Sequence, residues 1–362
     1  MAENLLSKRG HGRQRAVARL QTAVRWLVRT MAALLLIGAA CSDFFSANPP
    51  DEQNLFYFFG PPTRIHFIDG SGAFHLTPFV YRYELADPLN VIYQEQTDTR
   101  YPLRFFAQGY SYRFFGLIPA SRHLIRGSDG SFFYLLGADK LGRDVFARVA
   151  AGARISFLVV ATGIAIYGLL GLCIGGLAGM QGGWPDRALM RFSEFVLAIP
   201  ALYLLLALRA LLPQRLPAWQ ATLLGVGTIA LVSWPPMARG VRGLIIQLRQ
   251  APFVEAARSL GGTPGQIFFR HMLPALAPFV VAQSTLAAPL FLLGEVLLSF
   301  LGVGFGSADQ SWGSQLRDAQ DLRILTDFRW NLAPLFSVFA TLLCLNVLTS
   351  SPDEREFRRI TL

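Results

Sequence analysis

Side chains able to perform acid–base, nucleophilic or metal-dependent chemistry are scattered through this 362-residue sequence and form no recognisable set. The five histidines contain no His-x-x-x-His pair, and neither a Gly-x-Ser-x-Gly sequence nor a Gly-x-x-x-x-Gly-Lys-Ser/Thr phosphate loop is present. Cys41, Cys173 and Cys344 have neither disulfide-framework nor metal-ligand spacing. The sequence therefore predicts no catalytic residue, no metal site and no nucleotide site of its own.

One carboxylate differs from the rest in its surroundings. Glu295 is the only charged residue in the apolar run 272–305. A carboxylate inside a bilayer costs about 2.5–3.5 kcal/mol on insertion scales, so its side chain should face protein or a water-filled path. Two roles fit Glu295: it lines a translocation path or gate, or it is a buried, hydrogen-bonded or protonated group that fixes helix packing.

Three glycines of another apolar run recur every four residues. Gly171, Gly175 and Gly179 therefore share one face of a helix. Small residues at this spacing let helix backbones approach closely in lipid. The pattern predicts a helix contact, either within this chain or with another subunit.

The segment 255–274 lies between two apolar runs and carries two short helix signals. Pro252 begins the first helix, which ends at Gly261, where a left-handed residue has no Cβ clash. Thr263 caps a second helix that runs from Pro264 to Pro274 at the membrane edge. We therefore expect a structured, charged loop between two spans.

The first of these short helices has a surface suited to docking. Ala256 and Ala257 present low relief, and Glu255 and Arg258 flank them with charge. Such a surface fits the cleft of another protein, although an unattached amphipathic loop could have the same composition.

Membrane spans must position these residues. The chain is 52% hydrophobic and only 15% charged, and a bilayer core requires about 20 consecutive apolar residues per helix. We predict five transmembrane helices, at 155–180, 195–212, 219–237, 272–305 and 331–351. A sixth, around 31–41, is short and follows a basic segment, so a signal peptide or a lipoprotein signal ending at Cys41 is an alternative to a first span.

Arginine and lysine are concentrated in the segments that lie inside if the N-terminus is cytoplasmic, which predicts that both termini are cytoplasmic. The net charge of +10 then reflects topology and contact with lipid headgroups rather than binding of nucleic acid. Residues 42–131 lie outside by this topology. Their aromatic, alternating and turn-rich sequence predicts a β-rich extracytoplasmic insertion.

The loop resembles the EAA loop of ABC-transporter permease subunits. The Glu-Ala-Ala sequence, the glycine four residues later and the final Leu-Pro are all in register, and "FRHxLP" is similar to the dipeptide/oligopeptide/nickel branch, where His271 replaces the general Ile. Residues 137–157, 182–200, and "LSFLGVGF" followed by "SWG" resemble the second, C-type, permease of that branch. Ala138 and Ala147 depart from the usual Thr and Ser, and the insertion is longer than the family's usual first outer loop.

The resemblance implies an all-α inner-membrane protein of the MetI-like permease fold, with about six transmembrane helices. The β-rich insertion, which the residues themselves predict, follows the first of these helices. We therefore predict a basic cytoplasmic segment 1–25, a first transmembrane helix 26–41, the insertion 42–131, a permease core 132–351 with five spans, and a cytoplasmic tail 352–362. The residues implied to couple to an ATPase are Glu255, Ala256, Ala257, Arg258, Gly261, His271, Leu273 and Pro274.

The resemblance further implies partners: a second permease, two ATP-binding subunits that hold ATP and Mg, and an extracytoplasmic substrate-binding protein. The substrate would be a di- or oligopeptide, or a related substrate such as nickel. A membrane-anchored extracytoplasmic binding or sensor protein is the main alternative, but an anchor needs only one span. A channel or ion-coupled carrier would need no docking loop.

Overall fold

The computed structural model describes residues 26–114, 118–128, 131–200, 203, 207, 218–302 and 310–349, with the backbone alone for 218–224, 348 and 349. The predicted segments 1–25 and 352–362, and most of the predicted span 195–212, lie outside the described residues. The described helices are α1 (Trp26–Ala40), α2 (Ser42–Phe45), α3 (Val145–Gln181), α4 (Gly183–Ala198), α5 (Ala218–Ser233), α6 (Pro235–Leu248), α7 (Pro252–Ser259), α8 (Pro264–Ile267), α9 (Leu273–Phe300), α10 (Trp312–Asp318), α11 (Leu322–Thr326) and α12 (Ala333–Thr349).

Three helices among the described residues are long and apolar enough to cross a membrane. They are Val145–Gln181, Pro264–Phe300 and Arg329–Val347, which contain most of the predicted spans 155–180, 272–305 and 331–351. The apolar helix Trp26–Ala40 is shorter than these. The first span was expected in this region, and the choice between a retained span and a processed signal stays a prediction.

The predicted span 219–237 is divided between two helices. The helix α5 has 16 residues and ends at Ser233, and α6 begins at Pro235. Trp234 keeps helical dihedral angles (φ −61°, ψ −26°), so the chain does not turn back between the two helices. The cause of the division is the pair Pro235-Pro236, because proline rings lack the N–H that an unbroken helix requires.

The insertion contains an antiparallel sheet of four strands in sequential order. The strands are β1 (His66–Ile68), β2 (Phe74–Asp87), β3 (Ile92–Phe114) and β4 (Ile118–Gly127). Register irregularities interrupt each strand pair, which bend and twist the sheet. The predicted β-rich insertion is therefore present, although the part of the chain that the structure describes is mostly helical.

Aromatic side chains join the sheet to the helical part. Tyr57 is buried, with its ring centroid 5.1 Å from that of Tyr93 in β3 and 4.8 Å from that of Tyr134. The ring of Phe59 stacks on Phe328, just before α12, at 4.4 Å. The Trp330 indole N–H donates to the carbonyl oxygen of Ala138 at 3.0 Å. These contacts place the sheet against the ends of the helices rather than apart from them.

The main apolar core lies among α3, α6, α9 and the short helices of the predicted loop. Its fully buried members include Met237, Ile245, Met272, Leu276 and Leu292. Each buried side chain of this size contributes roughly 1.5–3 kcal/mol where it is removed from water. The core thus holds the loop and the long helices together.

Candidate functional site: the 255–274 loop and the helices that support it

The loop 255–274 has the two helices that its sequence predicts. Pro252 occupies the first turn of α7, and Gly261 follows the helix in the left-handed region with φ +83°. The N–H of Gly262 donates to the carbonyl oxygen of Ala257 at 3.1 Å and closes the turn. Thr263 and Gln266 then form a capping box at the start of α8, each side chain bonding the other's backbone N–H.

The second helix does not end at Pro274, contrary to the prediction. A π-helical turn, Phe268–Met272, joins α8 to α9, and the helix continues to Phe300. Pro274 follows this turn directly, in the first turn of α9. The wider π turn rearranges the hydrogen-bond pattern at the point where proline lacks an N–H, so the helix passes through it.

Three buried apolar side chains anchor the loop. Val254 of α7, Ile267 of α8 and Met272 of the π turn all belong to the main core. Ala257 and Leu273 are half-buried, so only Ala256 of the two alanines faces outward, where both were expected to do so.

The other predicted coupling residues are exposed. These are Glu255, Ala256, Arg258, Gly261, His271 and Pro274. Apolar side chains accompany them: Leu260 is 89% exposed and Phe269 68%. A short element that is rigidly anchored yet shows charged and large apolar side chains outward has the character of a binding surface.

Glu295 lies in α9, fully buried within this chain. Its Oε2 accepts a hydrogen bond from Ser156 of α3 at 2.9 Å, and its Oε1 accepts one from Ser299 at 3.0 Å. The hydroxyl of Ser311 also bonds this carboxylate. Hydroxyls from three parts of the chain thus satisfy its oxygen atoms, as a buried polar group requires.

The three repeated glycines contact α6 of the same chain. A Cβ atom on Gly171 would lie 2.2 Å from Met237, and one on Gly175 would lie 2.3 Å from the carbonyl oxygen of Ala238. On Gly179 the corresponding distance, to Ile245, is 2.8 Å. Of the two alternatives that the sequence left open, the structure has the contact within the chain.

A network of ion pairs at the start of α3 was missed in the sequence. Arg143 lies 2.7 Å from Asp139 and 3.2 Å from Asp318 of α10, and Lys140 lies 2.9 Å from Asp318. Arg148, which is buried, contacts both carboxylates. Burial opposes ionisation of Asp318, but the Lys140 hydrogen bond and the neighbouring charges hold its pKa below the ordinary value.

The sequence signal for this network was the presence of charged residues in two stretches that resemble the permease family, 137–157 and the one around "SWG". The network ties the beginning of α3 to α10. The indole N–H of Trp312 adds a hydrogen bond to the carbonyl oxygen of Val149 at 2.9 Å.

A second ion pair, also missed, lies at the other end of the helices. Arg242 of α6 donates to both carboxylate oxygens of Asp186 in α4, with the Nη2–Oδ2 distance 2.7 Å. The hydrogen bond from Arg242 lowers the pKa of Asp186. Arg249 donates to the carbonyl oxygen of Gly179 at 3.2 Å. Since α7 follows α6 directly, these bonds fix the base of the loop against α3 and α4.

Comparisons with known proteins agree with this arrangement. A putative peptide permease protein of Brucella ovis is 34% identical over 219 residues, which are 60% of this chain and 70% of that protein. The glutathione transport system permease protein GsiD of Pectobacterium atrosepticum is 32% identical over 59% of this chain and 68% of its own length. The dipeptide transport system permease protein DppC of Bacillus subtilis is 35% identical over 59% of this chain and 64% of its own.

A family model also matches, over residues 171–353, about half of the chain. The matched residues include the loop 255–274 and Glu295, and they exclude the β-sheet insertion. A membrane-anchored sensor, the main alternative from the sequence, is not supported by these matches. The chain belongs to the family of binding-protein-dependent transport system inner membrane components.

Proposed function

We propose that this chain is one of two permease subunits of an ABC importer for peptides and forms half of its translocation path. Membership of the family implies a multi-pass inner-membrane protein that works with ATPase and substrate-binding partners. The relatives named above are peptide, glutathione and dipeptide transport permeases. They support a peptide substrate, and none of these three names nickel.

In this proposal the chain has six spans, with both termini in the cytoplasm and the insertion outside. Trp26–Ala40 is retained as the outer part of the first span, and 195–212 contributes another. ATP and Mg are held by two partner ATPase subunits, so this chain itself performs no hydrolysis. The concentration of arginine on the proposed cytoplasmic side supports the orientation.

The loop 255–274 is the surface on which an ATPase subunit docks. The observation that carries this assignment is the contrast between its buried anchors, such as Val254, and its exposed outer side chains, Glu255 and Leu260. Movement of a docked ATPase subunit would push on α7. The buried anchors would transmit that movement to the main core. Because α8 continues into α9, the motion would reach the membrane-spanning part of the chain.

Glu295 has a packing role in this proposal rather than a gating role. Its hydrogen bond from Ser156 supports this, because that bond joins α3 to α9 within the subunit. The bond from Ser299 lies within α9 and satisfies the other carboxylate oxygen. Gly171, Gly175 and Gly179 likewise belong to packing within the subunit.

The docking assignment is tested with Glu255→Lys and Leu260→Asp. Glu194→Lys is the matched control, since Glu194 is an exposed carboxylate on a helix outside the loop. The assays are co-purification of the ATPase subunits with tagged permease, and ATP-driven peptide uptake into vesicles containing the whole complex. We expect both loop variants to lose ATPase binding and uptake while the control keeps them. Full ATPase binding by both loop variants would refute the assignment.

A further inference from the structure

The second half of β3 together with β4 carries charge of one sign. From Arg100 to Ser128 the sequence has five arginines and no Asp, Glu or Lys. Arg104, Arg113 and Arg122 are exposed, and none of these three has an acidic partner within the described residues. We call residues 103–114 and 118–127 the cationic hairpin.

Strand register places three arginines on one face of the cationic hairpin. Arg104 lies opposite Arg126, and Gln108 lies opposite Arg122. Residues 104 and 108 are four apart, and so are 122 and 126, so all four side chains share one face of the sheet. Like charges directly opposite each other are destabilising. An anion between Arg104 and Arg126 would remove that repulsion.

Large apolar side chains are exposed on the same hairpin. Phe105 is 55% exposed, Phe106 61% and Ile118 62%. Phe106 also has φ +52°, in the left-handed region that a phenylalanine rarely occupies. A surface that is both apolar and cationic fits a partner that is both apolar and anionic.

The hairpin is attached where the apolar part of the helices ends. The ring Nδ1 of His123 lies 2.8 Å from the carbonyl oxygen of Asp43 in α2, and the Tyr110 hydroxyl donates to the same oxygen at 3.4 Å. Arg154 of α3 pairs with the Asp43 carboxylate. The uncharged run 155–180 begins one residue later, so α2 and the hairpin lie level with the boundary of the bilayer core.

The aromatic residues of the cationic hairpin are of the kind found at a membrane–water interface. Tyr110, Tyr112 and His123 form one ring cluster beside α2, with centroids 4.3–6.0 Å apart. The Phe106 ring lies 6.2 Å from that of Phe44 in α2. Aromatic residues with a polar end are enriched at the membrane–water interface.

We propose that the cationic hairpin rests on the bilayer surface beside α1. Arg104, Arg122 and Arg126 bind the phosphate groups of anionic phospholipids, and Phe106 enters the headgroup region. Guanidinium groups match phosphate oxygens in paired hydrogen bonds. The insertion would thus be held on the membrane independently of any protein partner.

The experiment uses the full-length chain, with its three cysteines replaced by serine, in vesicles of phosphatidylcholine with or without phosphatidylglycerol. A spin label at Phe106→Cys reports collisions with oxygen, which enters lipid, and with a neutral nickel chelate, which stays in water. We expect the label to be shielded from the chelate when phosphatidylglycerol is present. The control Leu76→Cys, on a β2 residue that is 89% exposed, should stay accessible in both vesicles.

Arginine variants separate charge from apolar contact. Each of Arg104→Gln, Arg122→Gln and Arg126→Gln should lower the ratio of shielded to accessible label about fivefold, as expected for one arginine at an anionic surface. Arg64→Gln, an exposed arginine outside the hairpin, should leave it unchanged, and size-exclusion elution verifies that each variant is folded. Equal exposure of the Phe106 label in both vesicles would overturn the proposal. Shielding that requires the substrate-binding protein would also overturn it and would assign the surface to that protein.

Discussion

Replacing Gly175 with alanine should separate α3 from α6. The added Cβ would lie 2.3 Å from the carbonyl oxygen of Ala238 and 3.0 Å from its Cα. These are backbone atoms, which cannot rotate away as the end of a flexible side chain can. Overpacking of this kind typically costs about 1–3 kcal/mol.

Gly168 provides a matched control on the same helix. Its added Cβ would meet nothing nearer than the Ser284 hydroxyl at 3.8 Å, an ordinary contact. Both substitutions gain the same helix preference of alanine over glycine, about 0.5–1 kcal/mol. That gain cancels in the comparison, so Gly175→Ala should be less stable than Gly168→Ala by the overpacking cost alone, about 1–3 kcal/mol.

Thermal unfolding of the purified permease in one detergent measures the difference. Co-purification of the second permease with each variant, normalised to folded protein, should be unchanged, because the glycine contact lies within the chain. A Gly175→Ala protein as stable as Gly168→Ala would show that the two helices are not in close contact. If Gly175→Ala alone failed to co-purify with the second permease, the glycines would instead be assigned to the interface between the two subunits.

Three other outcomes are expected. Gly261→Ala should impair uptake, because φ +83° costs a side chain about 1 kcal/mol, whereas Gly265→Ala, whose Cβ meets open space, should not. Burial raises the pKa of Asp144 from 3.8 to about 6. The folded state then keeps a proton that the unfolded state has lost, so stability should fall as pH rises through that window, and Asp144→Asn should remove this dependence in thermal scans. Glu295→Gln should yield folded permease in detergent, while Glu295→Leu should lower the yield by leaving buried hydroxyls unpaired, at about 1–3 kcal/mol each.

The helix ends of the loop could be predicted because local backbone chemistry determines them. A left-handed glycine at 261 and a capping threonine at 263 act on atoms within a few residues, and both were found in the expected conformations. The apolar runs 155–180, 272–305 and 331–351 were predictable for a similar reason, since span length depends on composition alone.

The effect of proline on helix continuity was predicted less well. Pro235 begins a new helix inside a segment that was expected to be one helix, and Pro274 lies inside a helix that was expected to end there. In both places the chain remains helical, because neighbouring residues rearrange the hydrogen bonds that proline cannot make. A sequence shows where such a bond is missing, but it does not show whether packing preserves the helix.

The partners of the buried charges could not be predicted. Ser156 and Glu295 are 139 residues apart, and Arg148 and Asp318 are 170 apart. Their pairing depends on how α3 lies against α9 and α10, which no local pattern encodes. The sequence did indicate that Glu295 requires such a partner, because an unpaired carboxylate in lipid is unfavourable.

The second part of the loop and Glu295 lie on one continuous helix, Pro264–Phe300, whose two ends are held differently. Near Glu295 the helix is bonded to α3, and Gly313 of α10 packs so closely on it that a Cβ there would lie 2.4 Å from the carbonyl oxygen of Val296. At the loop end the helix is held by apolar contacts of Ile267 and Met272, has exposed side chains on its other side and contains a π turn. A force applied to the loop would therefore bend the helix between these ends. Pro278 and Pro289 lie in that interval and each removes a backbone hydrogen bond, so the bending should concentrate there while the end bonded to α3 stays in place.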